Sequence, residues 1–285
     1  MSSISLKDLR KNGHALRLVN DELQTLEICL AAVRQNGDAL QYVKDELKTP
    51  ELCLEAVRQY GLALQYVEIQ TSELCIAAVR QNGLVLRYLE NQTSEVCLAA
   101  VQQYGWTLQY VENQTPEVCL AAVQQYGLAL RYVENQTPEV CLAAVTQDGE
   151  VLELVPKALK TPELCFASVT HDGWTLFYVP KALKTPEICL AAVTQDWNAL
   201  EFVPKALQTP EICLAAVQQN EFALRFVHIT DGFEFSFGYV METHPEHTLN
   251  VLRSKKNKDN TDTIWSFLVN YSFPAKEDVL AEFSK

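Results

Sequence analysis

The chain has 285 residues, 23 Lys and Arg against 36 Asp and Glu, and 48% hydrophobic residues, a composition that excludes wholesale disorder. Its net charge of −13 speaks against nucleic-acid binding, which needs clustered Lys and Arg to neutralise phosphates. No apolar run approaches the roughly 18 residues of a membrane span, and Met1 to Leu9 lacks the charged start and apolar stretch of a secretory signal.

Length alone suggests about two globular domains, but the cysteines overrule that reading. They stand at 29, 53, 75, 97, 119, 141, 165, 189 and 213, every 22 or 24 residues. A fixed period of this size marks a repeat array. Residues 1–24 form a degenerate first copy. In it Ile4, Leu9, Gly13, Leu16 and Val19 keep the apolar and glycine positions, while Ser5 replaces the cysteine and Lys7 and Asp8 replace alanines. The same skeleton with a polar outer face is what a terminal cap requires, and it suggests that Met1 is a true start.

The array spans residues 25–230, and TPEVCLAAVQQYGLALRYVENQ, Thr115 to Gln136, shows its unit. Thr is a good N-cap, Pro at the next position loses nothing by lacking an N–H, and Glu suits the positive end of the helix dipole. The apolar stretch that follows predicts a helix packed between neighbours. Gly at 37, 61, 83, 105, 127, 149 and 173 is expected to close it in the left-handed conformation. A second, shorter helix of the LALRYV type then presents residues such as Leu130 and Val133 three positions apart. One unit cannot bury enough apolar surface to fold alone, so the units must stack. The fold class predicted is all-α, an α-solenoid of about ten two-helix repeats of 22–24 residues with a small irregular C-terminal cap. Units from Thr49 to Gln136 have 22 residues; those from Thr137 to Gln208 have 24 and end in PKALK or PKALQ. Pro156, Pro180 and Pro204 are expected to stop the second helix and start an extra turn. Trp197 and Glu221 take the glycine position in the last two units, so their helix ends are expected to differ.

Residues 231–285 lose the period and form a C-terminal cap. Phe233, Phe235, Phe237 and Tyr239 alternate with Glu234, Ser236, Gly238 and Val240, which predicts a strand or extended strip. His244 to Ser254 echoes the repeat helix with His244 in the N-cap place, Arg253 to Asn260 is a charged loop, and helices follow at 262–270 and 275–283.

The cysteine ladder invites a reading as metal ligands, disulfides or nucleophiles. Equivalent positions of stacked helices lie about 8–10 Å apart, too far for a disulfide or for one zinc ion, so the cysteines are read as small buried apolar residues. Nine unpaired thiols would also fit a reducing compartment. No metal and no cofactor is expected, and His14, His171, His228, His244 and His247 are read as structural or surface residues. The aromatic ladder Tyr42, Tyr66, Tyr88, Tyr110, Tyr132, Tyr178, Phe202 and Phe226 is read as packing.

The variable positions between the two helices are more telling. Tyr60, Tyr104, Trp106, Tyr126, Trp174 and Trp197 change from unit to unit on a fixed frame, joined by Arg87 and Arg131. Either they form a binding ridge rich in hot-spot residue types, or they bury the inter-repeat edge. Asp148, Asp172 and Asp196 add an acidic row, read first as a solvated face.

The unit at Thr161 to Pro180, T-P-E-[VIL]-C-L-A-A-V-x-Q-[DNY]-G-x-x-L-x-[YF]-V-P with its variants, resembles the repeat family named domain of unknown function 4116. The resemblance covers Thr25 to Thr230 and implies a setting in effector-like proteins of intracellular bacteria. Lys276 to Lys285, KEDVLAEFSK, is similar to the C-terminal signals of type IV secretion substrates. The expectation drawn is a non-enzymatic scaffold that binds a protein, a host protein if the resemblance extends that far. It would be a monomer in the cytoplasm or the host cytosol, with no nucleic-acid partner. The alternatives are an enzyme with its site between the tail and the last repeats, using His228, His244 or His247, and a purely structural spacer.

Overall fold

The computed structural model describes residues 5–89, 91–229, 233–256, 260–273 and 275–284. Ile4, the array boundary expected at 230–231 and residues 257–259 of the charged loop lie outside the described residues. The fold is an all-α repeat solenoid, and there is no strand among the described residues. No described helix is long and apolar enough to cross a membrane. The chain divides into two compact units, Met1–Gln147 and Asp148–Lys285.

The first unit opens with α1 (Leu6–Leu9). It continues through α2 (Leu26–Gln35), α3 (Pro50–Gln59), α4 (Ser72–Gln81), α5 (Ser94–Gln103), α6 (Pro116–Gln125) and α7 (Pro138–Gln147). Each repeat helix starts as its sequence dictates. Thr49 Oγ1 accepts from the Leu52 N–H at 3.3 Å, and Thr71, Thr93 and Thr115 make the same bond at 3.3–3.4 Å. Pro50 and Pro116 sit in the first turn. In α3 the buried residues are Leu52, Cys53, Ala56 and Val57, a single face, while Arg58 and Gln59 on the other are exposed.

The second element of each repeat is a 3-10 helix and not an α-helix, as in Gly61–Tyr66 and Gly127–Tyr132. The Val67 N–H donates to the Leu64 carbonyl at 3.0 Å, three residues back. Gly61, Leu64 and Val67 are all buried. Their spacing of three forms one edge only in a helix of about three residues per turn.

The glycine is not a left-handed cap either. Neither Gly61 nor Gly105 adopts that conformation; each is needed for space. A Cβ on Gly61 would lie 2.7 Å from the Ala78 carbonyl oxygen of the next repeat. On Gly105 it would meet the Ala122 carbonyl and come within 2.9 Å of Tyr126 Cβ. Close approach lets the glycine N–H reach across the junction. Gly61 donates to Gln81 Oε1 at 2.7 Å, Gly105 to Gln125 at 2.5 Å and Gly127 to Gln147 at 2.7 Å.

A second tie joins the end of one repeat to the 3-10 helix of the next. Gln114 Nε2 donates to the Tyr132 carbonyl at 2.8 Å, and its Oε1 accepts from the Glu134 N–H at 3.0 Å and from Cys119 Sγ at 3.6 Å. Gln92 does the same with Tyr110, Glu112 and Cys97. All nine cysteines are buried and unpaired, in keeping with a packing role. At two junctions the bond to the aromatic carbonyl is missing among the described residues. Lys48 turns to Asp45 at 2.8 Å, and Gln70 is exposed. Cavities of about 280 and 210 Å³ lie there, one lined by Lys48 and Tyr66, the other by Gln70 and Tyr88.

The second unit repeats the pattern with α8 (Pro162–His171), α9 (Pro186–Gln195) and α10 (Pro210–Gln219). Its 3-10 helices are Gly149–Leu154, Gly173–Tyr178, Trp197–Phe202 and Glu221–Phe226. Pro156, Pro180 and Pro204 end the first three and start the expected extra turns, Lys157–Leu159, Lys181–Leu183 and Lys205–Leu207. Here Lys replaces Gln at two junctions, where Lys160 and Lys184 donate to the Tyr178 and Phe202 carbonyls at 3.0 and 2.8 Å, while Gln208 keeps the bond to the Phe226 carbonyl at 3.1 Å.

After the array come α11 (Phe233–Thr243), α12 (Pro245–Lys255), α13 (Thr261–Asn270) and α14 (Lys276–Phe283). The strand expected from the aromatic alternation is therefore a helix. Phe233, Ser236, Phe237, Val240 and Met241 are buried at helical spacing, while Phe235 and Tyr239 face out. Packing against Phe267, whose ring lies 5.4 Å from Phe233 and 6.2 Å from Phe237, selects the helical period over the alternating one. The helices expected after the loop are present. His244 precedes α12 in the N-cap place but makes no capping bond there.

Candidate functional site

The residue joining the α-helix to the 3-10 helix is extended in every described case, and its chemistry divides the repeats. In the first unit Asn36 Oδ1 accepts from the Asp38 N–H and Asn82 Oδ1 from the Leu84 N–H, both at 3.0 Å. In the second, Asp148, Asp172, Asp196 and Asn220 accept from Glu150, Trp174, Asn198 and Phe222 at 2.9–3.0 Å. A short polar side chain thus caps the 3-10 helix from two residues back. The acidic row of the sequence is this set of caps.

Tyr60, Tyr104 and Tyr126 break the pattern. Each sits in the capping place with the same backbone, φ −145 to −151, and none makes a side-chain cap bond. Their side chains stand out from the first unit instead, 36%, 42% and 39% exposed. Trp106 is half-buried beside Tyr104, ring centroids 6.0 Å apart, and meets Tyr110 edge-on at 6.4 Å. Arg131 is exposed. The Arg87 guanidinium lies 4.5 Å over the ring of Tyr88, which, unlike the half-buried rungs of the aromatic ladder, is exposed.

The second unit treats its two predicted tryptophans differently. Trp174 is exposed and packs with Phe177, Tyr178 and Phe202 at centroid distances of 5.5–5.7 Å. Phe177 did not stand out in the sequence, yet it is the most exposed ring of that group. The available signal was its position, where the flanking repeats carry Glu153 and Glu201. Trp197 is half-buried, with the Arg225 guanidinium 5.8 Å from its ring. Contrary to expectation, its helix end is unchanged: Asp196 has φ −142, ψ 119 against −145, 114 at Asp172. The glycine place demands room rather than a special φ, and the next repeat yields. Gln195 accepts from the Gly173 N–H at 2.6 Å, but Gln219, facing Trp197, turns its Nε2 to the Val193 carbonyl at 2.7 Å.

The histidines near the tail hold separate local contacts. The His228 N–H donates to Gln208 Oε1 at 2.8 Å, His244 Nδ1 pairs with Thr243 Oγ1 at 3.0 Å, and the His247 ring lies edge-on to Phe222 at 4.9 Å. Burial raises the thiol pKa throughout the cysteine ladder, from an ordinary 9.0 to about 11 at Cys29, Cys189 and Cys213. Thiols in that state are poor nucleophiles. No group of three or more potential metal ligands occurs among the described residues.

Comparison with known families matches the one described as Domain of unknown function (DUF4116), over residues 3–48, 49–93, 93–137, 115–160, 161–208 and 185–229. No curated protein and no solved structure matches the chain. The matched segments keep the register of the repeats and reach from residue 3 to residue 229, so the chain belongs to the DUF4116 repeat family.

Proposed function

We propose that this chain is a non-enzymatic scaffold that binds another protein, with Tyr60, Tyr104 and Tyr126 at the centre of the contact surface. The observation that carries this reading is the lost cap. Asn at the same place in sibling repeats makes a hydrogen bond, and such caps contribute about 0.5–2 kcal/mol each. Three repeats forgo it and expose an aromatic ring instead. A capping bond given up for a ring that stays more than a third exposed points to use elsewhere, and Tyr is favoured at binding hot spots. Exposure of these rings also favours a binding surface over a mere spacer.

The same proposal takes the partner to be a host protein met in the host cytosol, as the family resemblance implies, and the scaffold to work as a monomer. The C-terminal tail supports delivery less directly. Val279 and Phe283 of α14 are buried, so a receptor reading these apolar residues must first undock the helix.

The test is a Tyr60→Asn/Tyr104→Asn/Tyr126→Asn variant, which installs the sibling residue three times. It is expected to be more stable than the parent and to lose the partners that the parent captures from host-cell lysate. Capture of the same partners at equal yield would overturn the reading.

A further inference from the structure

Three 3-10 helices of the second unit, Gly149–Leu154, Gly173–Tyr178 and Trp197–Phe202, stack side by side and present equivalent positions in a row. The row that contains Phe177 has Glu153 on one side and Glu201 on the other, one repeat away each, and all three are exposed. Beside it stands Trp174, 39% exposed against 55% for Phe177, with Tyr178 and Phe202 completing the patch. Among the described residues neither Glu153 nor Glu201 forms an ion pair, and the three helices contain no Lys or Arg.

Exposed rings edged by carboxylates that form no ion pair, although Lys160 is near enough to Glu153 to feel its charge, complement a cation that can also stack. The rings themselves decide how it binds. Their centroids lie 5.2–5.7 Å apart, so they fill the space between one another and leave no cage for an ammonium group. The cation must lie flat on the outer faces, which suits a guanidinium better than a compact ammonium, and the flat fork can still reach a carboxylate. The next repeat shows the same pairing internally: Arg225, in the row after Glu201, lies 4.5 Å over the Phe226 ring.

We propose that the Trp174–Phe177–Tyr178–Phe202 patch, with Glu153 and Glu201, docks an arginine-bearing basic segment of a protein partner. This rests on the scaffold reading and names a second contact, on a different unit from the tyrosines.

The test is fluorescence anisotropy of a labelled peptide of alternating Arg and Gly titrated with the full-length chain, beside a peptide of alternating Lys and Gly. The Arg peptide should bind at least about threefold more tightly than the Lys peptide, and added salt should weaken it. Phe177→Glu copies the flanking repeats and should fold. It should weaken binding about tenfold even though it adds a negative charge, and Glu153→Gln/Glu201→Gln should weaken it comparably. No binding, equal or tighter binding by Phe177→Glu, or equal affinity for the two peptides would overturn the proposal. Preference for a single-stranded RNA, or self-association of the chain that Phe177→Glu abolishes, would overturn it too. The tyrosine-to-asparagine variant should bind the Arg peptide normally. If it loses captured partners while Phe177→Glu keeps both them and the peptide, this patch fails and the scaffold reading stands. If it keeps every captured partner while Phe177→Glu loses the peptide, the scaffold reading fails at the tyrosines and the patch stands.

Discussion

Lys160 reaches across a repeat junction and donates its Nζ to the main-chain carbonyl of Tyr178 at 3.0 Å. Gln114 makes the equivalent bond to Tyr132 with its amide, but it also accepts from the Glu134 N–H at 3.0 Å. Lysine cannot accept. The residue that would need an acceptor opposite Lys160 is Pro180, and opposite Lys184 it is Pro204, neither of which has an N–H. At these two junctions Lys and Pro, twenty residues apart, replace Gln and a donor together. Gln114→Lys should leave the exposed Glu134 N–H to water and cost about 0.5–1.5 kcal/mol. Adding Glu134→Pro should recover more than half of that loss. A double-mutant cycle in urea unfolding midpoints checks the coupling, and additive effects would contradict it.

The pairing does not hold at Lys48, nor in the sequence at Gln136, which precedes Pro156 by twenty residues. Lys48 faces Glu68, which keeps its N–H, and it turns away to Asp45 at 2.8 Å beside a cavity of about 280 Å³. Lys48→Gln should restore both halves of the tie, to the Tyr66 carbonyl and from the Glu68 N–H. The ion pair it gives up, exposed on the Asp45 side only, contributes about 1 kcal/mol. The expected net outcome is a higher melting temperature and slower amide exchange at Glu68. A lower melting temperature would show that the acceptor is not what this junction lacks.

The repeat glycines separate two explanations for their presence. If they served a left-handed conformation, asparagine would be the mildest substitute. At Gly105 the demand is space, since a Cβ would meet the Ala122 carbonyl and come within 2.9 Å of Tyr126 Cβ. Gly105→Ala should cost about 1–3 kcal/mol through forced displacement of the next repeat, and Gly105→Asn should cost more. At Gly83 the nearest atoms are side-chain carbons of Thr107 and Tyr104 at 3.1 and 3.2 Å, which can give way. Gly83→Ala should lie within about 1 kcal/mol of the parent. Equal costs at the two sites, read from chemical denaturation, would contradict the steric account.

These cases show what one sequence discloses. The period, the Thr and Pro that open each helix, the extra turn after Pro180 and the buried cysteines follow from local rules, and repetition shows each rule many times. Features set by the neighbouring repeat were hidden. The glycines looked like caps because the carbonyl they must clear is about twenty residues away. The spacing of three through Gly127, Leu130 and Val133 was visible but fits a 3-10 edge rather than an α-helical face. Phe233 to Tyr239 carried two periods at once, and only Phe267 decides between them. At the candidate surface the sequence named Tyr60, Tyr104 and Tyr126, but not that Asn in their place would form a hydrogen bond. It passed over Phe177, whose meaning lies in the glutamates on either side.

The cysteine ladder makes the fold sensitive to alkali. Burial holds the folded thiols above their ordinary 9.0, to about 11 at Cys29, Cys189 and Cys213. Above pH 9 an unfolded chain ionises its thiols while the folded chain keeps their protons, so the unfolded state gains. The contribution is fully present below about pH 9 and is lost as pH climbs to about 11. Lys160, Lys184 and Lys255 act in the opposite sense, since burial lowers their pKa and folding sheds their protons first. Nine thiols set against three amines leave the loss dominant. The urea midpoint should fall steadily from pH 8.5 to pH 11. Cys213→Ala, which removes the thiol of the last array helix, should flatten that slope while lowering the midpoint only slightly at pH 7. A parallel slope in the variant would assign the alkaline loss to other groups.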